Sequence, residues 1–379
     1  MKNGRPAGNT GRPVFSKKGG RLKALVTADL HLGYRMYGLR QREQDFYKAC
    51  DEVFDIARAN KVDMVLLAGD VFDTSRPPAA AVGALSRCVH GSGILTIGIE
   101  GNHDKVGTGD WLSVCGVDAV GVKPLDAVHV TGIDYRRPQE LISELESLAI
   151  ACEDAGKKIP IVLLHCGFQN MGDPFAVDLP TSAVMPYLKR IGCHTVCVGH
   201  IHKKVVKTDV LEGHKVTFLQ PGSIETCSLA EDYDKSVFVI EFDDSDLVSV
   251  REEKLHSRKF ESVKIDTQDD LKKFLLSDMS AYKDKMTVVR VKSSIDGAIA
   301  AVDRKLSGEL YRIVAYNDKI QLDEVDRSSQ LITLESVIGE YFDEGTDVCE
   351  LLKEILKNPE STAEVAERYM AGGKDAPVS

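Results

Sequence analysis

Five short clusters in this 379-residue chain carry side chains able to grip a cation. They are Asp29-Leu30-His31, Gly69-Asp70-Val71-Phe72-Asp73, Gly101-Asn102-His103-Asp104, Leu164-His165 and Gly199-His200-Ile201-His202. Their donors are carboxylate and amide oxygens and imidazole nitrogens, a set that suits Mn, Fe and Zn rather than Ca or a thiolate centre. Each cluster follows an apolar run of strand length, and an α/β sheet does its chemistry just past the carboxyl ends of its strands. A single strand followed by Gly-Asp is an ordinary turn, and a lone strand-end histidine is usually a hydrogen-bonded polar residue. Five clusters closing five apolar runs are hard to reconcile with that account. Side chains alternate along a strand, so Asp29 with His31, and His200 with His202, each form a pincer if the strand continues through them. Two pincers with the Asp70 carboxylate between them describe a site for two cations. His90, His129, His194, His214 and His256 lie outside the clusters and count as background. Cys193 and Cys197 fit no usual structural zinc spacing and read as core thiols.

Delivering these residues to one place takes a sheet with covered faces. The pattern predicts buried strands over 24–28, 62–68, 94–99, 159–164 and 195–198. Helices are expected over 41–60, where Phe46, Val53, Phe54 and Ala57 have helical spacing, and over 77–90, opened by Pro77-Pro78. A short helix is expected over 111–115. Strands alternating with helices argue for an α/β architecture. After Gln220-Pro221-Gly222-Ser223-Ile224-Glu225 the pattern shifts to a hairpin, 236–242 and 247–254, turning on Asp243-Asp244-Ser245-Asp246. A composition break near Ser257 opens a small α+β module: strand 260–265, helix 269–276, strand 287–291, helix 297–306 and strand 310–315. The remainder reads as helices over 331–341, 347–356 and 361–370, with Asn358-Pro359 as a stop ahead of a cap at Ser361. The expected organisation is a flexible basic arm over 1–22, a main domain over 23–257, a small domain over 258–325 and a helical region over 326–379.

Hydrophobic content of 43% and charged content of 28% are those of an ordinary globular protein. No apolar run reaches the ~18 residues of a membrane span, and no signal-peptide pattern opens the chain, so a cytoplasmic protein with no membrane partner is expected. Nine irregularly spaced cysteines are not a disulfide framework and fit a reducing compartment. The net charge of −10 is concentrated: residues 323–375 hold fourteen acids and five bases, while the first 23 residues hold seven bases and no acid. The overall sign therefore does not exclude a nucleic-acid substrate.

The order Asp-x-His, Gly-Asp-x-x-Asp, Gly-Asn-His-Asp, apolar-His, Gly-His-x-His resembles the calcineurin-like metallophosphoesterases. More narrowly, Ala28-Asp29-Leu30-His31-Leu32-Gly33, Ala68-Gly69-Asp70-Val71-Phe72-Asp73-Thr74 and Pro77-Pro78 are similar to the SbcD nuclease subunit, the bacterial and phage branch of the Mre-type double-strand-break nucleases. The motifs run from about residue 24 to 225. The resemblance implies an α/β fold built as a four-layer metallophosphoesterase β-sandwich flanked by helices, with the small α+β domain as a cap and a helical C-terminal tail. Carried over position by position, it implies that Asp29, His31 and His202 hold one metal, that Asn102, His165 and His200 hold the other, and that Asp70 bridges both. His103 would be the catalytic histidine beside the scissile phosphate, with Asp73 orienting it. The implied cofactor is two Mn2+, with Mg2+ as the alternative. Two cations ~3.5–4 Å apart acidify a bridging water and clamp a phosphodiester for in-line displacement.

The implied substrate is DNA, cut as an exonuclease and endonuclease in break processing and recombination. Protein serine/threonine phosphatases would show Arg where this chain has Thr74. Lys272, Lys273, Lys283, Lys285, Arg290, Lys292, Arg304 and Lys305 of the small domain could meet phosphates, although interleaved acids also suit a plain solvated surface. The expected partner is an SbcC/Rad-type coiled-coil ATPase, docked by C-terminal helices through Leu331, Leu334, Val337, Ile338, Tyr341 and Phe342. A homodimer is expected through residues 79–88 and 110–114, with Trp111 as anchor. The competing readings are a phosphodiesterase or phosphatase of the same superfamily acting on small or protein substrates, and a non-catalytic scaffold for the ATPase. The host would be a bacterium or a phage in a bacterial host.

Overall fold

The computed structural model describes residues 21–104, 111–119, 123–125, 128–169, 171, 178–231, 233–242 and 247–316, all within one compact unit. Residues 1–20 of the basic arm and the expected helices beyond residue 325, with their apolar face from Leu331 to Phe342, lie outside the described residues, while Leu22, the last residue of the expected arm, already belongs to the first strand.

The first half of the main domain reads β1 (Leu22–Thr27), α1 (Arg40–Ala59), β2 (Met64–Ala68), α2 (Ala79–Ser92), β3 (Leu95–Ile99), α3 (Trp111–Val114) and β4 (Asp118–Ala119). The second half reads β5 (Lys123–Leu125), β6 (Val128–Ile133), α4 (Pro138–Ala155), β7 (Ile161–His165), β8 (Phe168–Gln169), β9 (Leu179–Pro180), α5 (Thr181–Ile191) and β10 (Thr195–Gly199). A hairpin of β11 (Val205–Leu211) and β12 (His214–Gln220) follows, then the expected hairpin β13 (Ser236–Phe242) and β14 (Leu247–Lys254). Helices α4 and α5 and strands β6, β11 and β12 are additions to what the sequence pattern placed.

Two six-stranded sheets result, ordered β14-β13-β1-β2-β3-β4 and β11-β12-β10-β7-β6-β5. In each, the central strands are parallel; antiparallel pairing closes the first sheet at one edge and the second at both. Strands buried on both faces read as near-continuous apolar runs, and β2, β7 and β10 are buried at every residue, with only Thr195 at the start of β10 and His165 at the end of β7 polar. The period of two then assigns the faces. Ala24, Val26, Leu66, Ile97 and Ile99 of one sheet meet Ile161, Leu163, Cys197 and Leu219 of the other in an inter-sheet core. Leu25, Val65 and Leu67 turn the opposite way, onto Phe46, Val53, Phe54 and Leu85 of α1 and α2. Val162, Leu164, Val196 and Val198 do the same against Leu141, Leu145, Val184 and Leu188 of α4 and α5. The layers are helices, sheet, sheet, helices, which is the expected four-layer sandwich.

The small module is β15 (Phe260–Ile265), α6 (Gln268–Leu276), β16 (Met286–Lys292), α7 (Ala298–Leu306) and β17 (Leu310–Tyr316). All five expected elements form, and its three strands are parallel throughout. Ile265, Phe274, Val289, Val291, Val302 and Leu306 give it a core of its own. Thr267 caps α6 by accepting from the Asp270 amide at 3.1 Å while Asp270 accepts in return, a reciprocal capping box. No helix among the described residues is long and apolar enough to cross a membrane.

Candidate metal centre

Strand β1 ends at Thr27, before the first cluster. The chain nevertheless stays beside its neighbour, with the amides of Asp29, His31 and Leu32 donating to the carbonyls of Gly69, Asp70 and Val71 at 3.0 Å each. The backbone angles at the site are unusual: φ is +51° at Asp29, +42° at His31 and +48° at Asp70 within this zip, and +98° at His200 outside it. Each side chain held in the left-handed region costs on the order of 1 kcal/mol or more, and such strain collects where surrounding structure over-determines it for function. The same angles correct the expected pincer geometry. Neither Asp29-Leu30-His31 nor His200-Ile201-His202 is a continuing strand, so period two does not apply. His200 groups with Asp70 and His165, while His202 groups with His31.

Two glycines make the approach possible. A Cβ on Gly101 would fall 2.0 Å from Asp70 Oδ1, and one on Gly199 would fall 2.1 Å from the Ala68 carbonyl oxygen of the opposite sheet. Through that second contact the two sheets close on each other, and His165 Nδ1–H donates across the gap to the same Ala68 oxygen at 2.9 Å. Asp104, buried, staples the loops from β2 and β3, accepting from the amides of Val71 (2.9 Å), Phe72 (2.6 Å) and Gly101 (3.0 Å).

The donors converge on one carboxylate oxygen. Asp70 Oδ2 lies 3.2 Å from His165 Nε2 and 3.9 Å from His31 Nε2, while Oδ1 accepts the His103 amide at 2.8 Å. On one side, His31 Nε2 and His202 Nε2 are 3.1 Å apart. On the other, Asn102 Oδ1 sits 3.0 Å from both His165 Nε2 and His200 Nδ1. Asp29 ties the sides together by accepting the His200 amide at 2.9 Å. His103 is fixed by Nδ1–H donating to the Asp73 carbonyl at 2.8 Å, so its Nε2 is the free ring position. Here the structure differs from expectation: the Asp73 backbone orients His103, and the Asp73 carboxylate lies 3.4 Å from His31 Nδ1. The nine residues that the resemblance assigns to the site are thus brought together.

The site sits on a recognisable framework, because residues 22–204 match the family model described as calcineurin-like phosphoesterase. This chain carries a calcineurin-like phosphoesterase domain. The DNA double-strand break repair protein Mre11 of Methanococcus maripaludis is 26% identical over 383 residues, covering 91% of this chain and 98% of that protein. Mre11 of Haloferax volcanii is 28% identical over 254 residues, covering 65% of this chain and 55% of the relative. The D subunit of the nuclease SbcCD of Escherichia coli is 36% identical over 90 residues, 23% of this chain and 22% of that one. The matched length is therefore about half of the Haloferax relative and nearly all of the Methanococcus one.

Charge explains how the phosphoesterase site could hold metal. Burial opposes ionisation of Asp70, but His165, His31 and His103 around it hold its pKa well below the usual carboxylate range. Burial likewise depresses His31 and His165. The Asp73 contact on the first and the Asp70 charge on the second prevail, and both rise to about 9. Without a cation, then, protons on these imidazoles neutralise the buried carboxylates. Divalent cations fit the same role, since burying Asp29 and Asp70 uncompensated would be prohibitive and the donors of the five clusters are oxygen and nitrogen ligand types. His200 differs: burial and the charge of His165 hold it below its ordinary value.

Several contributing residues carried no strand-end signal. Glu231 Oε1 accepts from His202 Nδ1 at 2.9 Å, and Glu231 Oε2 pairs with the buried Lys235 at 2.5 Å. Burial pushes Glu231 up, but His202 and Lys235 bring it down to about 2. Tyr135 stacks on the His200 ring at 6.3 Å. Cys227 joins His31 and His202 in a group whose ligating atoms all lie within 4.8 Å of one another. These residues come from loops, and the sequence marks only the turn at Gly222 before Cys227 and Glu231. Of the background histidines, His214 is bonded to the Cys193 carbonyl and His90 to that of Ser86, away from the site. Cys193 and Cys197 are free, buried core thiols.

Proposed function

We propose that this protein is a two-metal DNA nuclease, using Mn2+, that hydrolyses phosphodiester bonds in break processing. The observation that carries the reading is Asp70 Oδ2 between His165 Nε2 and His31 Nε2, with one imidazole cluster on either side. Asp29, His31 and His202 would hold one cation, Asn102, His165 and His200 the other, and Asp70 both. Cations there supply Lewis-acid polarisation of the phosphate and an acidified water. The chain itself does the rest. Asn102 Oδ1, shared by His165 and His200, keeps that pair of rings in register. His103, its Nδ1 proton committed to the Asp73 carbonyl, presents Nε2 to the leaving oxygen and, when protonated, donates to it. The Mre11 and SbcCD relatives favour DNA as the substrate. A coiled-coil ATPase as partner and a homodimer as the working form follow from the resemblance of the motifs to that nuclease branch.

Digestion of end-labelled linear duplex DNA with Mn2+ tests the reading. Wild-type protein should cleave, Asp70→Ala should not, and His103→Ala should lose roughly 10²–10⁴-fold in rate while keeping its metal. Cleavage of a chromogenic phosphodiester without any cleavage of DNA would move the protein to the small-substrate branch of the family.

A further inference from the structure

Eight cysteines are described, all free and buried, and among the described residues only Cys227 belongs to a group of ligating side chains. Its partners there are the two histidines of the first cation position. Both rings are already oriented. His202 has Nδ1 committed to Glu231 at 2.9 Å, and His31 has Nδ1 beside the Asp73 carboxylate at 3.4 Å, so each turns Nε2 to the other at 3.1 Å. Cys227 is held by its backbone from two sides: its amide donates to Glu231 Oε2 at 3.0 Å, and its carbonyl accepts from the Tyr34 hydroxyl at 3.3 Å. The thiol itself donates at long range, 3.5 Å to the Glu225 carbonyl. Glu231 thus fixes a ring nitrogen and the Cys227 amide with the two oxygens of one carboxylate.

We propose that Cys227 Sγ is a further donor, beside Asp29, Asp70, His31 and His202, to the cation position lined by those two histidines, and that its sulfur makes the position prefer a Zn2+-type cation over Mn2+. This rests on the two-cation reading and departs from it only in one added donor and the identity of one cation. Thiolate and imidazole together favour Zn, Fe or Co, whereas carboxylate and water favour Mn and Mg. The opposite position, built from Asp70, Asn102, His165 and His200, has no sulfur and stays suited to Mn2+. Burial holds the free thiol up at about 12, with the nearby Glu231 charge adding to it, so the metal-free protein keeps it protonated. On binding, the S–H bond breaks heterolytically, its electron pair forms the sulfur–metal bond and the proton passes to water; no electron is transferred.

The full-length protein, stripped with chelator, is titrated anaerobically with Co2+ and followed in the near ultraviolet. The expected result is two equivalents bound and a thiolate-to-cobalt charge-transfer band. Cys227→Ser should still bind two equivalents but lose the band. In parallel, equilibrium dialysis against Zn2+ and Mn2+ should show the Zn2+ preference falling by at least about tenfold in the variant. Two equivalents bound by wild type with no band overturns the role of Cys227 while the two-cation reading stands. A band that survives in Cys227→Ser also overturns it, by assigning the sulfur elsewhere. Failure of wild type to bind cobalt at all overturns the two-cation reading itself. The wild-type spectrum decides even where a variant fails to fold, and Cys227→Ala gives a second, non-ligating replacement.

Discussion

Asp70 concentrates the conflict that the site resolves: a buried carboxylate whose two oxygens are divided between a backbone amide and two imidazoles. In metal-free protein that conflict is settled by protons. His31 and His165 both titrate at about 9, above their ordinary 6.5. A raised folded pKa means the folded state holds its proton more tightly than the unfolded chain does. The stabilisation is therefore complete below about pH 6.5 and is lost as pH climbs through about 9. A bound divalent cation replaces those protons and removes the dependence. Thermal melts of chelator-treated protein should thus fall in midpoint across this range, and melts with Mn2+ should stay flat or rise. Equal slopes with and without metal would show that these imidazoles are not the ligands. Titration with Mn2+ at neutral pH in weak buffer should release protons for the same reason.

At the scale of elements, what the sequence makes legible is the strand that stops at a glycine. Buried parallel strands are near-continuous apolar runs, so β1, β2, β3, β7 and β10 and the clusters behind them stand out. Strand β11 does not, because its residues alternate between half-buried and exposed over the whole length and no apolar run forms. Helix α4 is different: Leu141, Leu145, Ala149 and Cys152 have helical spacing, so the signal is present without any chemistry-bearing residue to draw attention to it. The loops after β1 and β10 escape a period-two argument because that argument presumes extended backbone, and φ at His31 and His200 is positive. Long-range ion pairs leave no local pattern at all. Arg42, fully buried on α1, donates to Asp45 at 2.7 Å and to Glu225 at 3.2 Å, and Arg258 at the start of the small module grips both oxygens of Asp45 at 2.6 and 2.7 Å. The module is thereby pinned to α1 and to the loop that carries Cys227 and Glu231. Asp45→Ala would leave two guanidinium groups short of a partner, one of them without access to water, and should cost about 3–5 kcal/mol in urea unfolding. A loss below about 1 kcal/mol would mean the network relaxes onto Glu225 alone.

Across the whole molecule, stacking two sheets with their parallel strands aligned brings ligands from both halves of the chain to one rim. Position 29 thereby comes to within one hydrogen bond of position 200. The small module adds cations whose uses differ. Lys305 caps α6 by donating to the Leu275 and Ser277 carbonyls, and Lys285 pairs with Glu261, so these two are structural rather than spare. Lys272, Lys273, Lys283 and Arg304 are exposed. Replacing these four with Ala should weaken duplex binding and lower its salt dependence by up to about 0.9 in slope for each phosphate no longer neutralised, while hydrolysis of a small chromogenic phosphodiester is unchanged. An unaltered salt slope would leave them as solvated surface. Trp111 is half-buried, with its indole N–H on the Ser75 carbonyl at 3.3 Å, so any role at a dimer interface would fall to its exposed edge and to Val114. Everything proposed for catalysis depends on two cations flanking one carboxylate, and the most direct measurement is an anomalous difference map at the manganese edge from crystals soaked in excess Mn2+. Two peaks about 3.5–4 Å apart, with Asp70 between them and His31 and His165 on opposite sides, are the predicted result. A single peak, or peaks that Asp70 does not touch, would contradict the account.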